Sequence, residues 1–230
     1  MSVGRGGPIV TVDGPAGSGK STTAREAARR LGFRHLDSGA LYRALTLALL
    51  DSGTPPDAWP RLTREEIDAL SVAVAPTPSG FDVRVAGRVP GPELRGDAVT
   101  AQVSQLSRLP AVRAALLGLQ RSAGREGRLV ADGRDMGTVV FPDAEVKVFL
   151  VADIAERARR RLLERGVARP SDEQLRDEAA AIELRDRRDS TRSESPLRRP
   201  EGALVVDTTH LTVEEQVEVV VREVRRSGRS

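Results

Sequence analysis

Residues 14 to 21 read Gly14-Pro15-Ala16-Gly17-Ser18-Gly19-Lys20-Ser21, the pattern G-x-x-x-x-G-K-[ST], which imposes strand, loop and helix in that order. The flanks agree with it. Ile9, Val10 and Val12 form a short apolar run before the loop, and Ala24, Ala27, Ala28 and Leu31 follow it at helical spacing up to Gly32. Glycine in such a loop lets successive backbone N–H groups turn inward around phosphate oxygens, and the following helix adds the partial positive charge of its amino end. Lys20 is placed to reach the β and γ phosphates of a bound chain, and Ser21 offers a hydroxyl to Mg2+.

The alternation continues along the chain. Phe33 to Leu36 reads as a second short strand leading into Asp37-Ser38-Gly39, and Leu41, Ala44, Leu45, Ala48 and Leu49 trace a helix that closes before Gly53. Leu129 to Ala131, Val146 to Val151 and Leu204 to Val206 are compact apolar runs of the kind buried in a parallel sheet. Helical patterns span Ile154 to Leu163, Leu175 to Leu184 and the valines from Val213 to Val224. The spacing predicts an α/β fold of three layers, a parallel sheet flanked by helices. Two stretches break the rhythm. Val72, Val74, Phe81, Val83 and Val85 alternate about Pro76-Thr77-Pro78-Ser79-Gly80, which reads as a small inserted antiparallel β unit. The charged stretch from Arg157 to Arg192 reads as a mobile helical flap.

Composition narrows the partners. Only two of the 36 basic residues are lysines, Lys20 and Lys147, and the formal net charge is +3, so the high isoelectric point reflects arginine rather than a large excess of charge. Aromatic residues make up 3%, too few for stacking platforms on single-stranded nucleic acid. Without cysteine there is no thiolate nucleophile and no disulfide. Met1 to Pro8 lacks the apolar core of a signal peptide, and no run is long enough to span a membrane, so the expected location is cytoplasmic, with no membrane partner.

Two further segments fall where α/β sheets bind ligands, at the carboxyl ends of strands. Asp37-Ser38-Gly39-Ala40-Leu41-Tyr42-Arg43 displays a hydroxyl, a phenol and a guanidinium; it also reads as an ordinary capped helix start. Asp132-Gly133-Arg134-Asp135 brackets one guanidinium with two carboxylates. Asp132 could hold Mg2+ through water, Arg134 could neutralise a transferring phosphate, and Asp135 could accept from an exocyclic amine; the alternative is a turn with an internal ion pair. His35 and His210 have no catalytic or ligand setting and read as incidental, Trp59 stands in a proline-flanked loop, and Lys147 has no assigned role.

Asp13 to Ser21, Leu36 to Arg43, Val103-Ser104-Gln105 with Pro110 to Arg113, Ala131 to Pro142, and Arg185 to Arg192 together make nearly the whole chain resemble the bacterial cytidylate kinases. These are nucleoside monophosphate kinases that move the γ-phosphoryl group of ATP onto CMP or dCMP; the Ala131 to Pro142 stretch is the most specific of the five. The resemblance implies a single kinase unit over 1–230. Its core covers about 1–37, 105–156 and 193–230, with a nucleoside monophosphate-binding insertion at about 38–104 and a lid with its following helix at about 157–192.

It also implies an ATP site formed by Gly14, Pro15, Ala16, Gly17, Ser18, Gly19, Lys20, Ser21 and Thr22, with Arg157 and Arg161 closing from the lid, and Mg2+ at Ser21 and Asp132. Ser38, Ser104, Arg113 and Asp135 match positions that surround the cytosine ring. Arg43 and Arg134 match positions that hold the CMP phosphate, Arg185, Asp189 and Arg192 match positions around sugar and phosphate, and Tyr42 matches a further CMP-binding position. Lys20, Arg134, Arg188 and Arg192 are the candidates for the catalytic cations. Asp135 can accept from cytosine N4 while Arg113 donates to the ring acceptors, and uracil would set a carbonyl against that carboxylate. A monomer that binds no nucleic acid is expected. The residues alone leave open another small-molecule kinase, such as a shikimate kinase or a uridylate/cytidylate kinase of a different branch, and a basic nucleic-acid-binding protein.

Overall fold

The computed structural model describes residues 6–228, so the reading of the amino terminus falls outside the described residues for Met1 to Arg5. Along the chain come β1 (Ile9–Asp13), α1 (Lys20–Leu31), β2 (Arg34–Asp37), α2 (Ser38–Asp51), α3 (Arg64–Ala69), β3 (Val72–Thr77), β4 (Gly80–Val85), α4 (Asp97–Leu106) and α5 (Pro110–Ala123). Then follow β5 (Leu129–Gly133), β6 (Val146–Val151), α6 (Ile154–Glu164), α7 (Asp172–Ser190), β7 (Leu204–Asp207) and α8 (Val213–Arg226). The strands form one sheet in the order β3-β4-β2-β5-β1-β6-β7, parallel throughout except for the β3–β4 hairpin.

Every residue of β1 is buried because strands pair on both its sides and helices cover both its faces. Val10, Val12, Val148 and Leu150 pack with Ala24, Ala27 and Ala28 of α1 and with Val217, Val220, Val221 and Val224 of α8. The small α1 side chains let that helix lie close to the sheet. On the opposite face Leu36, Leu129, Ala131 and Met136 form a second core. The strand register pairs Asp13 with Gly133 and Asp37 with Asp132. Three strands therefore end level with one another, which sets the phosphate loop, the Asp37-Ser38 turn and Asp132 to Asp135 side by side on one edge.

The expected antiparallel hairpin is present as β3 and β4, and it is continuous with the main sheet. β4 joins the main sheet through a single pairing of Gly80 with His35 of β2. Glycine permits it, since a Cβ at Gly80 would stand 2.6 Å from the His35 carbonyl oxygen. A third core gathers Leu41, Leu45, Trp59, Val85, Val103, Leu106 and Leu116, so α2, α4, α5 and the hairpin share one apolar interior. Trp59 is 1% exposed there, with its indole N–H donated to the Thr54 carbonyl at 3.0 Å. The apolar periodicity does not mark α3, α4 or α5, and α7 extends beyond the predicted Leu175 to Leu184 at both ends.

Candidate active site

The phosphate loop hangs between β1 and α1. Gly14 takes φ +152°, and a Cβ there would come within 2.2 Å of the Leu150 carbonyl oxygen, so the tight exit from the strand needs glycine. The first turn of α1 carries no acidic residue, which leaves its amino end open to an anion. Lys20 is buried, and its ammonium donates to the Pro15 carbonyl at 2.7 Å. Burial first, then the nearby charges of Arg134 and Arg185, hold its pKa well below the usual lysine range. A phosphate chain would supply negative charge that offsets both penalties.

Across the loop, Ser21 donates to Asp132 Oδ2 at 2.5 Å, and His35 Nε2 lies 2.7 Å from Asp132 Oδ1. Burial alone would raise the Asp132 carboxyl, but the hydrogen bonds from His35 and Ser21 and the charge of Lys20 outweigh it and keep the group ionised. His35 is therefore not incidental, which corrects the sequence reading. The hydroxyl of Ser21 and the carboxylate of Asp132 are adjacent hard oxygen donors on the cavity wall. They fit Mg2+, which takes one or two protein oxygens and completes its shell with phosphate and water. No cluster of three or more His, Asp or Glu with metal-binding geometry exists among the described residues.

A cavity of about 460 Å3 runs from this loop along the strand ends. Its cationic wall holds Arg43, Arg134, Arg161, Arg185 and Arg192. Arg134 Nε donates to Asp189 Oδ2 at 3.0 Å, and Arg192 Nη1 stands 3.8 Å from Asp189 Oδ1. Burial alone would raise Asp189, yet Arg134, Arg185 and Arg192 together bring its carboxyl below the usual range. Arg185 has a buried Nε without a hydrogen-bond partner, and burial followed by repulsion from Arg134 pushes its guanidinium down to about 9. Arg161 and Arg165 donate to the two oxygens of Glu178 at 2.6 and 2.7 Å, which fixes Arg161 against the cavity.

Elsewhere on the wall, Arg113 donates to Asp135 in a buried pair and to the Ser107 carbonyl at 3.2 Å, with its guanidinium 5.4 Å above the Tyr42 ring. Burial pushes the Tyr42 phenol up to about 12. Ser38 accepts from Gln120 Nε2 at 2.8 Å, which leaves its own hydroxyl hydrogen for another acceptor. Ser104 Oγ is buried without a partner. Asp13 anchors the whole edge by accepting the N–H groups of Met136 and Gly137, each at 2.8 Å.

Of the residues expected at the ATP site, Ala16, Gly17, Gly19, Lys20, Ser21, Thr22 and Arg161 line the cavity. Ser38, Tyr42, Arg43, Arg113, Asp132, Arg134, Asp135, Arg185, Asp189 and Arg192 do so as well. Gly14, Pro15, Ser18 and Ser104 do not line it, and Arg188 is exposed and off it. Arg157 is turned elsewhere. It donates to the Ala16 carbonyl at 3.2 Å and pairs with Asp186, which also accepts the Ala16 N–H at 3.1 Å. Together they tie α6 and α7 to the phosphate loop. Arg25, Arg95, Ser107 and Glu164 line the cavity without having been singled out, because no local motif marks them.

A parallel sheet whose first strand ends in a phosphate loop, with a basic cavity across the neighbouring strand ends, defines a phosphate-binding-loop kinase. A family model described as cytidylate kinase matches residues 10–226, and the chain belongs to that family. It is 42% identical over 221 residues to the cytidylate kinase of Limosilactobacillus fermentum, covering 95% of this chain and 96% of that protein. It is 43% identical over 215 residues to the bifunctional pantoate ligase/cytidylate kinase of Synechocystis sp., covering 93% of this chain but 42% of that longer protein. A solved structure of an uncharacterized protein from Eubacterium ventriosum shares the fold, with a TM-score of 0.50, 9% identity, and 95% of this chain and 98% of that one covered.

Proposed function

We propose that this chain transfers the γ-phosphoryl group of ATP to CMP or dCMP, giving ADP and CDP or dCDP. The observation that carries this reading is one continuous cavity lined both by the phosphate loop and by the Arg113–Asp135 pair with Ser38. A carboxylate facing a base selects an exocyclic amine, and Arg113 supplies the donors that cytosine O2 and N3 accept. Uracil would leave that buried carboxylate opposed to a carbonyl.

The arginines supply the electrostatics. Phosphoryl transfer spreads negative charge over equatorial oxygens, so fixed cations and alignment matter more than a strong base. Lys20 serves the β and γ phosphates of ATP, Arg43, Arg134, Arg185 and Arg192 receive the acceptor phosphate, and Asp189 orients Arg134 and receives a ribose hydroxyl. Ser21 and Asp132 would hold Mg2+, which would offset the negative charge of the phosphates. Arg161 closes the wall on the lid side.

No described helix is long and apolar enough to cross a membrane. The reading includes a cytoplasmic monomer without a nucleic-acid partner. Turnover measured as ATP consumption with CMP, dCMP, AMP and shikimate tests it: the cytidine nucleotides turn over fastest, and a faster rate with AMP or shikimate overturns it.

A further inference from the structure

The imidazole of His35 touches the phosphate site from inside the sheet. β2 and β5 pair in parallel with His35 opposite Val130, so side chains at 35 and 132 share a face and meet diagonally. The result is the 2.7 Å contact from Nε2 to Asp132 Oδ1, between side chains 11% and 3% exposed. An ionised carboxylate only accepts, so Nε2 carries the proton. Asp132 is then held at both oxygens, by His35 on one and by Ser21 on the other. Without the imidazole only Ser21 would still hold the carboxylate, at Oδ2, against the positive charge of Lys20 that also acts on it. A carboxylate drawn to that ammonium would vacate the place beside Ser21 and occupy the cation that must serve the phosphates.

We propose that His35 is a positioning residue for phosphoryl transfer: its Nε2–H fixes Asp132 so that Asp132 and Ser21 together face the divalent cation carried by the triphosphate. The inference rests on the reading that Ser21 and Asp132 receive that cation. His35 also anchors the hairpin, donating its backbone N–H to the Ser79 carbonyl at 3.2 Å next to the Gly80 pairing. The same residue thus ties the insertion to the cation site.

The test measures Mn2+ binding to the full-length protein with ADP, by electron paramagnetic resonance, in His35→Leu, His35→Asn and His35→Gln. Calorimetric CMP affinity is recorded for each variant as a check that the rest of the cavity is intact. Leucine removes the donor, and asparagine keeps a polar group that ends short of the Nε2 position. Each weakens Mn2+ about tenfold, as losing an outer hydrogen bond to a metal ligand does. CMP affinity stays unchanged, and glutamine, whose amide reaches the Nε2 position, restores most of the loss. Should leucine prevent folding, asparagine gives the same reading. Ser21→Ala separates the two levels of the account. If it weakens Mn2+ while neither His35→Leu nor His35→Asn does, the role of His35 is overturned and the cation site stands. If Ser21→Ala also leaves Mn2+ binding unchanged, the cation reading fails and takes the proposal with it.

Discussion

Arg185 and Arg134 line the same cavity wall and draw on a single carboxylate, Asp189, which accepts from Arg134 Nε at 3.0 Å and leaves Arg185 without a hydrogen bond at its buried Nε. Two neighbouring guanidinium groups repel each other, and a site arranged this way stores repulsion that an anionic ligand releases.

Arg185→Gln should therefore stabilise the ligand-free protein while damaging the enzyme. We expect its thermal midpoint to rise by roughly 2–4 °C, the shift that about 1 kcal/mol produces in a domain of this size. kcat/KM for CMP should fall by about 100-fold or more, in line with the 2–5 kcal/mol cost of deleting a buried charge partner. Calorimetric melting and steady-state kinetics on one preparation check both halves, and a fall in both quantities would show that Arg185 is structural.

Asp13 gives a pH signature. Burial, partly offset by the N–H groups of Gly137 and Met136, pushes its carboxyl from 3.8 up to about 7. The folded state then holds the proton more tightly than the unfolded state, so the contribution to stability is full below about pH 4 and is lost as pH rises through 7. Asp13→Asn cannot ionise. Between pH 5 and pH 7 the wild type should lose roughly 2–3 kcal/mol relative to this variant in denaturant unfolding, and a pH-independent difference contradicts the assignment.

Gly80→Ala probes how the hairpin joins the sheet. The new methyl group would meet the His35 carbonyl at 2.6 Å and must push β4 away from β2. A loss of about 1–3 kcal/mol is expected, the usual cost of overpacking. Alanine at Gly87, where no atom lies within 4 Å, serves as the control for space, although its φ of +81° adds backbone strain of its own.

Much of the fold was legible because the strands that matter are short, buried and bounded by glycine or aspartate. β1 and its loop could be read without any neighbour, and so could the valine stripe of α8, whose buried positions repeat at helical spacing. α3 and α4 were not legible. α3 has one buried residue, Ile67, and α4 has Val99, Val103 and Leu106, so neither carries a long stripe. In the site, residues within motifs are recognisable by type and spacing, whereas His35 carries no local signal because its partner lies 97 positions away and arrives through strand register. Arg157 is a different case. A lid arginine suggests phosphate, and in this structure its guanidinium sits on Asp186 and on the Ala16 carbonyl of the phosphate loop itself.

Asp135→Ala separates base recognition from phosphate binding. It leaves the buried guanidinium of Arg113 without its carboxylate partner, so kcat/KM for CMP should drop by about 100-fold or more. KM for ATP should move by less than about threefold, because Lys20 and the loop amides do not touch Asp135. Equal losses for both substrates would place Asp135 outside the base site.

The most direct measurement is kcat/KM for CMP against UMP in the wild-type protein with saturating ATP and Mg2+. A buried carboxylate opposed to the uracil carbonyl predicts a preference for CMP of at least about 100-fold, the scale set by an unpaired buried polar group. Equal efficiencies would contradict cytosine reading by the Arg113–Asp135 pair.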